Sequence, residues 1–253
     1  MKAIELFLTV GVTAGAVALA PSEAVASSQS ETDVSQPTAT ELLAQGGEGG
    51  EGGEGGEGGE YSAGQQANAD FVDKLSGGDL VSALQQGGYV IYFRHAQTTI
   101  DYADQADPNM SLANCDTQRK LSASGIQDAV DIGSAFREQG IPVGDVIASN
   151  YCRAWQTANY AFGRHVQQSL LNFLPFEDYT DAQVEEMQRN MTPLVSDMPE
   201  PGENTVLVGH DDLFEAITGI YPEPQGIAYV LEPDGSGGFE LIANVLPSEW
   251  AEL

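Results

Sequence analysis

The sequence predicts an α/β fold, a three-layer αβα sandwich built around a mostly parallel central sheet. Two observations support this prediction. Short apolar segments typical of buried strands alternate along the chain with segments whose apolar residues recur at helical spacing. Strands that alternate with helices form a parallel sheet with helices on both faces. The last two predicted strands, 227–231 and 239–245, flank the turn Pro233-Asp234-Gly235, and we expect them to form an antiparallel hairpin.

The first sixty residues are predicted to lie outside this fold. Residues 1–26 combine a positive start at Lys2, an apolar run and the small-x-small sequence Ala24-Val25-Ala26, which is the pattern of a cleaved signal peptide. The apolar run is shorter than a membrane span, so no stable membrane insertion is expected after cleavage. Residues 27–60 end in Gly-Gly-Glu triplets, whose lack of apolar surface predicts a disordered acidic linker. We therefore expect an exported protein, periplasmic or extracellular, with one folded domain over residues 61–253.

The chain is strongly acidic, with a formal net charge of -29 at pH 7. This charge argues against a nucleic-acid partner, because such partners are bound largely through Lys and Arg on phosphates. It is equally unfavourable for binding to anionic membrane surfaces. An anionic substrate would need a local cationic pocket that works against the global field, so each of the few arginines is a candidate site residue.

One buried strand and two short helices are predicted in the first part of the folded region. Residues 70–75 and 78–86 are predicted helices, because their apolar residues lie about one helical turn apart. A run of apolar and aromatic residues predicts a buried strand over 89–93. Residues 101–116 form a polar loop rich in Asp, which is either a flap over a site or a solvated excursion.

A long amphipathic helix is predicted from Leu121 to Gly140, where Ser122 or Ser124 caps its start and the glycine ends it. Its predicted apolar stripe consists of Ile126, Val130, Ile132, Ala135 and Phe136. The remaining predicted elements are strands over 143–148 and 205–209 and helices over 153–162, 180–190 and 212–218.

Polar residues follow three of the predicted strands at the point where each strand ends. Arg94-His95 follows the first, Ser149 and then Arg153 follow the second, and His210 follows the third. Because the carboxyl ends of parallel strands share one edge of the sheet, we expect these side chains to converge there. The third histidine of the chain, His165, is predicted to be an ordinary surface residue.

Two arginines around two histidines predict chemistry on a phosphoryl group. Guanidinium groups match phosphate oxygens and stay charged, while a neutral imidazole can attack phosphorus and form a covalent intermediate. A second histidine can donate to a phosphoryl oxygen. A zinc site is the rival interpretation, but adjacent arginines disfavour a dication and the chain has no HExxH or paired Cys/His spacing. We therefore predict no metal and no cofactor.

Four segments resemble motifs of the histidine phosphatase (phosphoglycerate mutase-like) superfamily, in the order found in that superfamily. These segments are Arg94-His95-Ala96-Gln97-Thr98, Leu121-Ser122-x-x-Gly125, Ser149-Asn150-Tyr151-Cys152-Arg153-Ala154-x-Gln156-Thr157-Ala158 and Val208-Gly209-His210. The resemblance implies a phosphoglycerate mutase-like fold in which His95 is the nucleophile that becomes phosphorylated. It also implies that Arg94, Arg153 and His210 complete the phosphate pocket, and that Thr98 and Ser149 contribute hydroxyls.

The general acid is left open by the resemblance. One branch of the superfamily uses a Glu after the second arginine, which corresponds to Glu177, whereas another uses the Asp of a His-Asp pair, which corresponds to Asp211. The compact chain favours Glu177 slightly, and capping of the following helix is the alternative role for Asp211. The loop residues Asp101 and Asp104 are further candidates. Arg119 is predicted either to reach the substrate or to lie on the surface.

The sequence therefore predicts a metal-independent phosphomonoester hydrolase that acts on a small phosphorylated metabolite, a sugar phosphate or an envelope glycan. Two alternatives are a catalytically weak member that only binds such ligands, and a function carried by the acidic stretch within residues 27–60. Cys115 and Cys152 either form one disulfide, which export permits, or remain two buried thiols.

Overall fold

The computed structural model describes residues 61–100, 104, 108–174 and 179–253. The predicted signal peptide over residues 1–26 and the predicted linker over residues 27–60 lie outside the described residues. Within the described ranges, no helix combines the length and the apolar character that crossing a membrane requires.

The described residues form one six-stranded sheet that confirms the predicted α/β class. Its strand order is β3-β2-β4-β1-β5-β6. The first four strands in this order run parallel to one another. Strand β5 runs antiparallel to both of its neighbours, β1 and β6, and it forms the predicted hairpin with β6. The strands are β1 (Val90–Arg94), β2 (Val143–Ala148), β3 (Val166–Gln167), β4 (Asn204–Gly209), β5 (Ala228–Pro233) and β6 (Phe239–Val245). The two-residue strand β3 is too short to leave a sequence pattern.

The described ranges contain six α-helices, and two of them differ from the prediction. These helices are α1 (Ala63–Ala69), α2 (Gly77–Gln86), α3 (Ala123–Glu138), α4 (Cys152–Phe162), α5 (Asp181–Ser196) and α6 (Asp211–Thr218). The predicted helix over 70–75 is wrong, because that segment is not helical. Helix α1 lies before it, and it begins at a capping box made by Ser62 and Gln65. Helix α5 continues past its predicted end through Pro193, since the buried side chains of Met187, Met191 and Val195 pack it against the core.

Alternate residues of the central strands face two separate hydrophobic clusters, which produces the three layers. Ile91 and Phe93 of β1 face the cluster formed with α2, α3 and α4, whereas Val90 and Tyr92 face the cluster formed with α5 and α6. Trp250, near the end of the chain, is fully buried in the first cluster, and no sequence pattern predicts this. The predicted stripe of α3 needs one correction: Val130 is exposed, and Ala129 and Gly133 are buried in its place.

A disulfide joins Cys115 and Cys152, with a Cα–Cα distance of 5.6 Å. It ties the loop before α3 to the first residue of α4, immediately before Arg153. The side-chain oxygen of Gln118 accepts a hydrogen bond from the backbone N–H of Cys152 at 2.8 Å, which adds a second tie. The structure therefore contains the disulfide that the sequence left as one of two alternatives.

Candidate active site

The register of the sheet brings the predicted site residues together. Arg94 is paired with Gly209 across β1 and β4, and Ala148 is paired with Val208 across β2 and β4. His95, Ser149 and His210 are therefore the first residues beyond three neighbouring parallel strands. The backbone N–H of His95 donates to Gly209 O at 3.0 Å, and the N–H of Ser149 donates to Val208 O at 3.0 Å.

Local packing and hydrogen bonding explain three residues of the motif segments. A side chain at Gly209 would collide with the hydroxyl of Tyr92, which donates to the carbonyl of His210 at 2.5 Å. A side chain at Gly125 would collide with the backbone of Gln97, against which the start of α3 is docked. The hydroxyl of Thr157 accepts the N–H of Ala96 at 3.0 Å. Both helices α3 and α4 thus hold the backbone that follows His95.

The ring of His95 is oriented as a nucleophile would need to be. Its Nδ1 lies 2.9 Å from the carbonyl oxygen of Ala96, which can only accept, so Nδ1 carries the proton. Nε2 therefore has the lone pair, and it accepts a hydrogen bond from Nε of Arg153 at 2.9 Å. His95 is buried, with 1% of its surface exposed.

A hydrogen-bond chain also determines the tautomer of His210. The side-chain oxygen of Asn172 accepts the backbone N–H of Asn150 at 2.8 Å, which fixes it as an acceptor. The hydroxyl of Ser149 therefore donates to this oxygen at 2.8 Å and accepts from Nε2 of His210 at 2.9 Å. The lone pair of the neutral ring is on Nδ1, so His210 can donate from this atom only after it gains a proton.

Two aromatic rings form a wall behind Arg153 and His210. Tyr151 and Phe173 stack with ring centroids 4.5 Å apart, and both meet the ring of His210 edge-on at 5.0 and 4.7 Å. The guanidinium carbon of Arg153 lies 5.0 Å from the Tyr151 centroid and 5.4 Å from that of Phe173. This wall excludes water from one side of the site and strengthens its electrostatic interactions.

A third arginine belongs to the same cluster. Arg119, for which the sequence left a surface position open, is only 2% exposed. Its guanidinium donates to the hydroxyl of Thr98 at 2.7 Å. That hydroxyl in turn donates to the carbonyl of Ile100 at 2.7 Å. Thr98, a predicted phosphate contact, therefore supports Arg119 in this structure.

Arg94 is held by a separate group of partners. Its guanidinium pairs with the carboxylate of Asp211 at 2.6 Å and donates to the carbonyl of Pro222 at 3.0 Å and to the hydroxyl of Tyr221 at 3.3 Å. Burial opposes ionisation of Asp211, but the charge of Arg94 and a hydrogen bond from Tyr221 outweigh it and lower the pKa of this carboxyl. Asp211 is thus ionised in this state and positions Arg94. It lies in the first turn of α6, where no side-chain cap is formed.

Of the three other candidates for the general acid, only Asp104 lies within the described residues. Glu177 and Asp101 lie outside the described residues. Asp104 is described and is 3% exposed. It forms an ion pair with the guanidinium of Arg153 and accepts the backbone N–H of Arg119 at 2.5 Å.

Two buried nitrogen atoms point to an anion-binding function. Among the described residues, Nε of Arg94 and Nδ1 of His210 have no hydrogen-bond partner although they are buried. Leaving such groups unpaired in a folded protein is costly, so a ligand that accepts from Nε of Arg94 and, after proton uptake, from Nδ1 of His210 would be favoured. The cluster combines three buried arginines with two histidines, and a phosphoryl group is an anion whose several acceptor oxygens suit such a set of donors. His165 lies outside the cluster and stacks on Trp155.

Both histidines are neutral in the ligand-free site. Burial lowers the pKa of His95 well below its ordinary value, and the charge of Arg153 lowers it further. Burial also lowers the pKa of His210 well below its ordinary value, and the charge of Arg153 lowers it further. A neutral His95 has the free electron pair that attack on phosphorus requires.

Stability is expected to fall as the pH drops below about 6.5, the ordinary pKa of histidine in an unfolded chain. Because the folded state lowers the pKa of His95 and His210, the unfolded state binds more protons below that pH. The stability that the two neutral histidines contribute is fully present above this pH. It is lost as the pH falls towards their pKa values in the folded state, and the free energy of unfolding then drops by up to about 1.4 kcal/mol per histidine and pH unit. Urea unfolding between pH 8 and pH 5 measures the slope, and His210→Asn should make it shallower. An unchanged slope in that variant would contradict the burial of a neutral His210.

Several site residues were not found from the sequence. Asn172 and Phe173 follow the short strand β3 and carry no motif, and Tyr151 lies at an unspecified position of the arginine segment. The sequence names Asp104 only as a candidate acid and does not predict that it pairs with Arg153. Their roles depend on contacts between distant parts of the chain, such as the 49 residues that separate Asp104 from Arg153.

Comparison with solved structures finds similar chains, whereas neither the family models nor the curated proteins give a match. The protein histidine phosphatase SixA complexed with tungstate is 14% identical, with a TM-score of 0.44 and coverage of 64% of this chain and 98% of that one. A mycobacterial glucosyl-3-phosphoglycerate phosphatase is 17% identical, with a TM-score of 0.43 and coverage of 61% and 97%. Phosphoserine phosphatase from Entamoeba histolytica is 13% identical, with a TM-score of 0.45 and coverage of 62% and 95%. Identities and scores this low carry no functional argument, so the function has to follow from the site residues of this chain.

Proposed function

We propose that this chain is a member of the histidine phosphatase superfamily and hydrolyses phosphomonoesters through a phosphohistidine at His95, without a metal. The observation that carries the proposal is the state of His95. Its Nδ1 is tied to a backbone carbonyl, and its Nε2 faces a buried cluster of arginines and a second histidine. This arrangement favours attack by Nε2 on a bound phosphoryl group.

The reaction has two displacements. In the first, the Nε2 electron pair forms a bond to phosphorus, the bond between phosphorus and the ester oxygen breaks, and a carboxylic acid gives its proton to the departing oxygen. In the second, water attacks the phosphohistidine, the P–N bond electrons return to Nε2, and the carboxylate takes the proton of the water. The products are an alcohol and inorganic phosphate.

The arginines and His210 stabilise the charge of the transferring group. Arg94, Arg119 and Arg153 are buried and stay charged, so their interaction with phosphoryl oxygens takes place with little competition from water. His210 donates from Nδ1 once it has taken up a proton, and the approach of an anionic phosphoryl group favours that uptake. Ser149 acts through His210 by accepting from its Nε2.

The direct test is an assay of the purified chain on p-nitrophenyl phosphate in the presence of EDTA. We expect turnover that EDTA does not reduce, since two histidines flanked by arginines do not favour a dication. Loss of turnover in EDTA with recovery on adding a divalent metal would contradict the metal-free mechanism. Binding of vanadate without turnover on a broad panel of phosphomonoesters would favour the alternative of a ligand-binding member.

We expect Glu177→Gln to lower kcat on an alkyl phosphate about 100-fold, and on p-nitrophenyl phosphate much less, because p-nitrophenolate departs without a proton. Asp211→Asn should lower kcat on the two substrates by the same factor, since Asp211 acts through Arg94. Steady-state kinetics on the two substrates measure the difference. The reverse pattern, in which Asp211→Asn shows the dependence on the leaving group, would assign the acid to Asp211.

The substrate class is a small phosphomonoester, and an exported enzyme would meet sugar phosphates or envelope glycans. Export is supported by the signal-like residues 1–26, and the disulfide between Cys115 and Cys152 is typical of an oxidising compartment. Fractionation of the producing cells, with the chain detected by mass spectrometry, tests this location.

A further inference from the structure

Arg153 connects the nucleophile to an acidic residue of the chain itself. Its Nε donates to Nε2 of His95 at 2.9 Å, and its terminal nitrogen pairs with the carboxylate of Asp104. The side chain of Asp104 is fully buried, and that of Arg153 is 3% exposed. The second carboxylate oxygen of Asp104 accepts the backbone N–H of Arg119. A carboxylate is thus bound to the guanidinium of Arg153, which a phosphoryl oxygen would contact.

This arrangement cannot persist when phosphorus approaches His95. The lone pair of Nε2 is the atom's only site for a new bond, and the N–H of Arg153 occupies it. Attack therefore requires this N–H to leave Nε2, and the ion pair with Asp104 holds Arg153 in the position that must change. The ligand-free site is closed by its own residues.

From this geometry we infer that Asp104 is a latch, a carboxylate that occupies the phosphate position on Arg153 and is exchanged for the phosphoryl group when substrate binds. The inference rests on the proposed function, because it places the phosphoryl group at His95. Asp104 then determines how tightly the site binds phosphoryl groups, and it does so by competition.

The latch has a quantitative consequence for binding. When only a fraction of the molecules is open, the apparent dissociation constant is the intrinsic one divided by that fraction, so a latch closed about nine-tenths of the time weakens binding about tenfold. The factor is the same for every ligand that displaces Asp104. If Asp104 instead stayed beside the ligand, its charge would repel a dianion about twice as strongly as a monoanion.

Tungstate and perrhenate separate these cases, because both are tetrahedral oxoanions and they differ by one charge. We expect Asp104→Asn to bind each about tenfold more tightly than the wild-type full chain does, as measured by isothermal titration calorimetry at pH 8. The asparagine oxygen can still accept the N–H of Arg119, which preserves the fold. The matched control Asp116→Asn removes the same charge from an exposed position in the same part of the chain and should change neither affinity.

Three results would overturn the latch: weaker binding by Asp104→Asn, unchanged binding, or a gain for tungstate much larger than that for perrhenate. A crystal structure of the wild-type chain with tungstate provides a measurement that needs no variant. It should show Asp104 separated from Arg153, and an intact ion pair beside bound tungstate would contradict the inference.

If wild type and Asp104→Asn both fail to bind either anion, the phosphate pocket and the latch fail together. If wild type binds tungstate and turns over substrate, a negative result concerns the latch alone.

Discussion

Replacing His95 with alanine is expected to lower kcat on p-nitrophenyl phosphate by about four orders of magnitude, because the reaction loses its nucleophile. His210 is not expected to replace it, because its Nδ1 takes up a proton to donate to the phosphoryl group and its Nε2 is bound to Ser149. The residual rate would come from the arginine cluster, which still binds and polarises the phosphoryl group.

The control for this variant is His165→Ala, which removes the histidine that lies outside the cluster and stacks on Trp155. We expect its kcat to equal that of the wild type. Circular dichroism and thermal unfolding should show that both variants are folded. A His95→Ala protein that is folded and retains kcat within about tenfold of wild type would exclude His95 as the nucleophile.

Replacing Arg153 with alanine is expected to lower kcat/KM by about three orders of magnitude, since a buried guanidinium that contacts the transferring group stabilises its charge in a poorly hydrated site. The same variant leaves the carboxylate of Asp104 buried without its partner, and we expect a loss of about 3 to 5 kcal/mol in the free energy of unfolding. Kinetics at a temperature where the variant is folded, together with urea unfolding, separate the two effects.

Arg189→Ala is the matched control, because this arginine is exposed on α5 and its nitrogen lies 3.6 Å from Glu185. An exposed pair of this kind contributes little, so both activity and stability should stay at the wild-type level. Arg153→Lys keeps the charge but not the planar geometry that reaches His95 and Asp104 together, and we expect an intermediate activity. A folded Arg153→Ala protein with unchanged kcat/KM would remove Arg153 from the site.

The strand ends that build the site could be predicted from the sequence because each strand is a short apolar run that stops at a polar residue. A parallel sheet then brings Arg94-His95, Ser149 and His210 to one edge whatever the details of packing. The observed register confirms this, since Arg94 pairs with Gly209 and Ala148 with Val208. The three-layer architecture followed from the same alternation of strands and helices.

The other features of the site depend on tertiary contacts, which leave no local pattern in the sequence. In sequence, Asp104 resembles the other aspartates of a polar segment, and its burial beside Arg153 depends on contacts with residues far along the chain. Asn172 acquires a role only because it receives the N–H of Asn150 and the hydroxyl of Ser149. The sequence permits either a disulfide between Cys115 and Cys152 or two free thiols. Only the distance between the two backbones decides between these alternatives.

The central claim is that phosphate passes through His95, and trapping the intermediate tests it most directly. The wild-type chain would be mixed with a phosphomonoester, quenched in base within the first turnover and digested for mass spectrometry, because phosphohistidine survives base and decays in acid. We predict a single phosphoryl group on the peptide that contains His95, none in His95→Ala, and loss of the group on acidification. A phosphoryl group on another residue, or hydrolysis by folded His95→Ala at the wild-type rate, would contradict the claim.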